Sequence, residues 1–217
     1  MAVVDAVAAM AALIPASALD RSDAAAFAGR LARWDPAGPV RLLRSTGRIA
    51  LWGTTPFDTL ATRSVDGTVE PAEVTVRAAD LLAALAVDTA EVVDPGRSAE
   101  SAWRARIPPD AGWITVDDVP ASAISELVAA GTAAAREHAD YAGGAPASLL
   151  DWEVLTVSGS GTTVNVPLRV LFALSGMGFA GPEDDVIRVR ATPVWLRLDG
   201  RFGAVVRRRH GSLPLFV

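Results

Sequence analysis

The chain contains no lysine; all twenty of its basic residues are arginine. That excludes a phosphate loop ending in lysine, a Schiff base and a pyridoxal anchor. It contains no cysteine, which removes disulfides, thiol nucleophiles, iron–sulfur ligation and cysteine zinc sites. Its two histidines are too few for a three-histidine metal site within one chain. No Gly-x-Ser-x-Gly elbow occurs, so a hydrolase triad has no signature here. Long hydrophobic runs are also missing. The apolar N-terminal stretch is stopped by Pro15, too early to span a bilayer. It offers Ala16-Ser17-Ala18 as a cleavage site, yet it has no positive start and is interrupted by Asp5. We therefore read it as a buried alanine-rich helix rather than a signal peptide.

What is present is enough for one large domain or two small ones. The 217 residues are 51% hydrophobic and 21% charged, and folding such a chain buries roughly 70% of its unfolded surface. Abundant Ala, Arg, Gly and Pro point to a GC-rich bacterial genome. A cytoplasmic protein with no membrane contact is expected.

The expected fold class is α+β: an antiparallel meander with helices in the N-terminal half and a ββαββ-like C-terminal half. The alternative is a C-terminal winged helix over 121–209, with helices at 121–139, 147–155 and 164–176. Residues 1–90 form the helical N-terminus plus meander, 91–110 a linker or packed connection, and 111–217 the second half. A helix is predicted over 21–34, because Ala26, Phe27, Leu31 and Trp34 recur at helical spacing. Ser22 or Asp20 would cap it and Asp35-Pro36 would stop it. Four strands follow over 39–77, with turns at Ser45-Thr46-Gly47 and at Asp66-Gly67. A short helix starts near Ala78 with Asp80 at its positive end. Trp103 marks the connection as packed. A strand and a helix over 121–139 then repeat the order seen around residues 73–85. The final stretch reads strand, Ser158-Gly-Ser-Gly turn, strand, helix and a hairpin around Asp199-Gly200.

Gly176, Gly178 and Gly181 have the spacing of a dinucleotide fingerprint. Three observations oppose that reading. The following segment alternates like a strand. Glu183, Asp184 and Asp185 would sit beside the pyrophosphate. Thirty-six residues remain after Gly181, too few to complete a doubly wound sheet. The glycines are read as the end of a helix, no cofactor is expected, and NAD, NADP and FAD should leave the melting temperature unchanged.

Other chemistry is sparse. His138, near Glu137, Asp140 and Tyr141, suits an acid–base role or a plain helix end. Asp117-Asp118 and Glu183–Asp185 offer oxygen ligands without the spacing of a calcium loop. His210 follows three arginines and is read as solvated.

Charge position carries more information. Residues 186–217 hold seven arginines and one acid, a net +6, so against the chain's −5 the first 185 residues carry −11. Such segregation suits an anionic partner or the acidic part of the same molecule. With a two-residue Asp199-Gly200 turn, Trp195, Arg197, Phe202 and Arg208 share one hairpin face. Arg207 and Arg209 extend the basic run. Arginine beside aromatics fits a protein interface or nucleic-acid stacking. The reading is a non-catalytic binding or assembly module using Trp195, Arg197, Phe202, Arg207, Arg208 and Arg209. Its partner is a second copy or another protein. The alternatives are a small-molecule enzyme built from Asp, Glu, His and Arg, and a nucleic-acid binder through the basic hairpin.

Overall fold

The computed structural model describes residues 11–87, 90–142 and 147–209. They divide into two units, Met1–Leu51 with Ser64–Trp103 and Trp52–Arg63 with Arg104–Val217. The fold is α+β, and the registered strand pairs are antiparallel.

The first unit opens on strand β1 (Ala12–Pro15), where an alanine-rich helix was expected; residues 1–10 lie outside the described residues. Leu13 decides the matter locally. It is 1% exposed, pairs with Val69, and exchanges backbone hydrogen bonds with Val93. Helix α1 (Ala18–Trp34) then begins one turn earlier than predicted. Its cap is Ser17, whose hydroxyl accepts from the Asp20 amide at 3.1 Å. Ala24, Phe27, Ala28 and Leu31 form its buried stripe, and Asp35 ends it as expected.

Strands β2 (Pro39–Ser45), β3 (Arg48–Thr54), β4 (Leu60–Glu70) and β5 (Glu73–Arg77) follow. β3 and β4 contribute residues to both units. The predicted Asp66-Gly67 turn is absent, since β4 runs straight through it. Gly67 serves a close approach instead. Its φ is +143°, and a Cβ there would lie 2.4 Å from the Ile14 carbonyl oxygen of β1. The chain reverses at Pro71-Ala72, and β5 pairs with β2 rather than β4, so the strands are not a simple meander. Helix α2 (Ala78–Val87) leaves β5 directly and packs on α1, with Leu82 against Gly29. Trp103, at the end of this unit, is buried under the Arg41 guanidinium.

In the second unit β6 (Ile114–Pro120) leads straight into α3 (Ala121–Ala142), and α4 (Ala147–Leu150) precedes the hairpin β7 (Glu153–Gly159) and β8 (Thr162–Pro167). Its two-residue turn places Ser160 and Gly161 at positive φ, as the Ser-Gly-Ser-Gly run suggested. Helix α5 (Leu168–Gly176) is followed by β9 (Val186–Ala191), β10 (Trp195–Gly200) and β11 (Gly203–Arg208). Three strands thus stand where a hairpin was expected. Thr192 breaks the predicted long strand: its hydroxyl accepts from the Val194 and Trp195 amides as the chain reverses at Pro193. The strand order is β4-β11-β10-β9-β6. A winged helix is overturned, because the segment proposed as its second helix is only the short α4 before β7 begins at Glu153, and the start of the proposed third helix is β8.

The glycine run has a defined role. Gly178 takes φ +61° just past the C-cap of α5. The Phe179 amide donates to Leu174 and the Gly178 amide to Ser175, the two bonds of a Schellman motif. A helix C-terminus therefore meets the glycines, and the next element is the strand β9. Phe179 is fully buried against the β10–β11 hairpin; a Cβ on Gly200 would sit 2.2 Å from its carbonyl oxygen.

Candidate functional site

The hairpin turn falls at Arg201-Phe202, with Gly200 opposite Gly203 and Trp195 opposite Arg208. This register replaces the one built on an Asp199-Gly200 turn. Trp195, Arg197 and Arg208 remain on one face, but Phe202 leaves it for the turn. Trp195 is 8% exposed and Phe202 37%. Phe202 lies between the guanidinium groups of Arg63 and Arg201, at 5.9 and 5.8 Å from its ring. Arg197 bonds Asp199 at 2.7 Å and lies over Trp113. Arg207, on the opposite face beside Leu198 and Val205, is buried.

The arginine excess of the last segment is largely answered from within the chain. Arg188 forms a two-pronged pair with Asp118, both bonds 2.9 Å. This bonding holds the Asp118 carboxyl below the usual aspartate range. Arg190 and Arg197 share Asp199, and Arg201 reaches Asp185. Arg207 has Asp58 and Asp151 at 3.5 and 3.6 Å. Asp118 and Asp185 are thus arginine partners rather than free cation ligands. Among the described residues no group of three or more His, Asp or Glu is placed to hold a metal ion. His138 belongs to α3, and its side chain and His210 lie outside the described residues.

Arg208 and Arg209 face a different setting, with Arg207 at its base. A cleft of about 760 Å³ is lined by Arg104, Arg106, Arg207, Arg208 and Arg209, with Asp58 the acid and the buried Leu60, Val206 and Trp195 behind it. A second cleft of about 560 Å³ shares Arg207–Arg209 and adds Asp151, Glu153 and Leu196. A third of about 550 Å³ shares Arg106, Trp195 and Arg208 and adds Ile107 and Val194. Arg208 lines all three, and the adjoining clefts are called together the furrow of the second unit. Its base holds two close guanidinium groups. Arg169 of α5 bonds Asp151 at 2.7 Å and lies 3.9 Å from Asp58. Burial, reinforced by Arg169, pulls the Arg207 pKa below the ordinary arginine value. The Nε atoms of Arg169 and Arg207 are buried without a hydrogen-bond partner.

Of the residues singled out in the sequence, Trp195, Arg207, Arg208 and Arg209 line these clefts and Arg197 and Phe202 do not. Arg104 and Arg106, in the predicted connection, and the Asp58/Asp151/Arg169 cluster were not singled out. The alternation Arg104-Ala105-Arg106 was the one local signal. Nothing local links Asp58 to Arg207 across 149 positions.

Comparison with known proteins follows this geometry. Residues 8–105 match the domain of unknown function DUF8010, and residues 108–212 match the domain of unknown function DUF8185. No curated protein matches the chain by sequence. Solved structures do match. The DNA polymerase III β subunit of Thermotoga maritima aligns with a TM-score of 0.56 at 14% identity, over 94% of this chain and 66% of that one. The fold is similar to that of a sliding clamp. The Caulobacter crescentus β sliding clamp, with polyethylene glycol bound, gives 0.59 at 15% identity, over 95% and 67%. The Pseudomonas aeruginosa DNA polymerase sliding clamp, with a ligand, gives 0.57 at 14%, over 95% and 66%. The chain spans about two thirds of the length of these clamps. No described helix is long and apolar enough to cross a membrane.

Proposed function

We propose that this chain is a non-catalytic binding and assembly module that docks protein segments along the furrow of its second unit. The carrying observation is the furrow itself: three adjoining clefts, apolar at Ile107, Val194 and the edge of Trp195, with arginine along the walls. An open run of clefts suits an extended chain better than a compact metabolite. The similar structures are named as a polymerase subunit and as sliding clamps, components of an assembly. The acids nearest the furrow base, Asp58 and Asp151, face arginines, an arrangement that fits charge pairing better than proton transfer.

The test is to pan a library of random peptides displayed on phage against the full chain. Selected peptides should bind saturably and should lose binding to Ala105→Trp, which fills the largest cleft. Peptides that bind this variant as well as the wild type would refute docking at the furrow.

A second reading is a homodimer through the hairpin tip. It is supported by Phe202, exposed between Arg63 and Arg201. Light scattering tests it: a dimer mass that falls to the monomer value in Phe202→Ser is expected, and a wild-type monomer refutes it.

A further inference from the structure

Charge narrows the class of partner, given that the furrow docks proteins as proposed above. The largest cleft sets five arginines against a single acid, Asp58. Arg106 and Arg208 are exposed there and make no ion pair with any described residue. Arg207, on the other face of β11, also reaches this cleft and is nine-tenths buried. Its nearest carboxylates stand at 3.5 and 3.6 Å, long for charge-assisted bonds, which run nearer 2.8 Å. Its Nε has no partner. A buried cation held this loosely is undercompensated, and Arg169 beside it adds a second positive charge.

A carboxylate entering from the open side satisfies this arrangement. It meets Arg106 and Arg208 where they are exposed, in the field of the buried Arg207. The neighbouring surface of Val194, Ile107 and the Trp195 edge asks instead for an aliphatic or aromatic side chain. Nucleic acid fits less well. A phosphate backbone needs an unbroken basic track, whereas the adjoining cleft carries Asp151 and Glu153. We infer that the furrow selects an acidic segment of a partner protein, with carboxylates seated on Arg106 and Arg208 and an adjacent apolar side chain seated on Trp195.

The experiment uses the full chain and peptides selected from the random library. Selected sequences should pair Asp or Glu with aliphatic or aromatic residues. Labelled with fluorescein, they should bind the Arg106→Glu/Arg208→Glu double variant about tenfold or more weaker. The neutral Arg106→Gln/Arg208→Gln variant should fall between. Both positions are exposed, so both variants should keep the wild-type melting temperature, which separates lost recognition from lost folding. Neutral or basic selected peptides that still require the furrow would overturn the acidic preference and leave the docking reading standing. Peptides indifferent both to arginine reversal and to Ala105→Trp would overturn the two together. A labelled single-stranded oligonucleotide that displaces the peptides and binds tighter than they do would overturn the assignment in favour of nucleic acid.

Discussion

Trp195 and Phe202 show how far a single residue's role depends on register. The sequence places them side by side on an arginine-rich face. A four-residue shift in pairing, from a turn at 199–200 to one at 201–202, sends one inward and leaves the other at the tip. The two alanine substitutions should therefore separate. Trp195→Ala removes a buried ring and should cost about 3–5 kcal/mol. Phe202→Ala removes an exposed ring held by cation–π contacts and should cost under about 1 kcal/mol. Urea denaturation of both variants checks this, and equal losses would contradict the register. Asp118 gives a second residue-scale expectation. It stands opposite Arg188 across β6 and β9, and their bonding lowers its pKa in the folded state. A lowered folded pKa means that the unfolded chain binds the proton first. The stabilisation is thus present above the unfolded aspartate value near 4 and is lost as pH falls through the folded one. The pair is solvent-exposed, so water and salt screen it and its contribution is small. Urea midpoints measured from pH 6 down to pH 2 should fall less steeply in Asp118→Asn than in the wild type.

At the scale of elements, three joints repeat one device: a strand passes into a helix with no loop, at Arg77–Ala78, Pro120–Ala121 and Pro167–Leu168. The resemblance noted between residues 73–85 and 114–139 corresponds to two of them. Pro167 fits because it ends the strand with φ −76° and begins a helix that needs no amide there. The opposite end of α5 needs the reverse property, a residue at φ +61°, and Gly178 supplies it. Gly178→Ala should cost about 1–2 kcal/mol for the left-handed backbone alone. NAD, NADP and FAD should leave the melting temperatures of both forms unmoved. Stabilisation by a dinucleotide that vanishes in the variant would return the glycines to a binding role.

For the whole molecule, charge along the chain and charge in space differ. The last 32 residues are net +6, yet five of their seven arginines face carboxylates, four of which belong to Asp58, Asp118, Asp151 and Asp185 in the acidic remainder. A duplex or single-stranded DNA should accordingly bind weakly, with few phosphates contacted. Anisotropy titrations at two salt concentrations should give a log–log slope of about −3 or shallower, matching Arg106, Arg208 and Arg209, the furrow arginines that face no carboxylate among the described residues. A steep slope would show that DNA breaks the internal pairs.

Some of this was settled by composition and local chemistry. Absent lysine and cysteine excluded whole reaction classes, because no neighbour can supply a missing ammonium or thiolate. Helix periodicity around Phe27, the Ser160-Gly161 turn and the capping glycine after α5 depend on contacts within a few residues, so they could be read directly. The direction of the chain at Asp66-Gly67 could not. That dipeptide permits a turn, but β1 packs against Gly67 and keeps the strand extended. The winged helix failed for a related reason, since β7 is stabilised by pairing with β8 and by lying against Val116, not by the propensity of residues 153–159. The furrow depends wholly on tertiary structure. Arg104 and Arg106, Asp58 and the 207–209 run are remote in sequence, and only the antiparallel placement of β4 beside β11 brings loop, strand end and connection to one set of clefts.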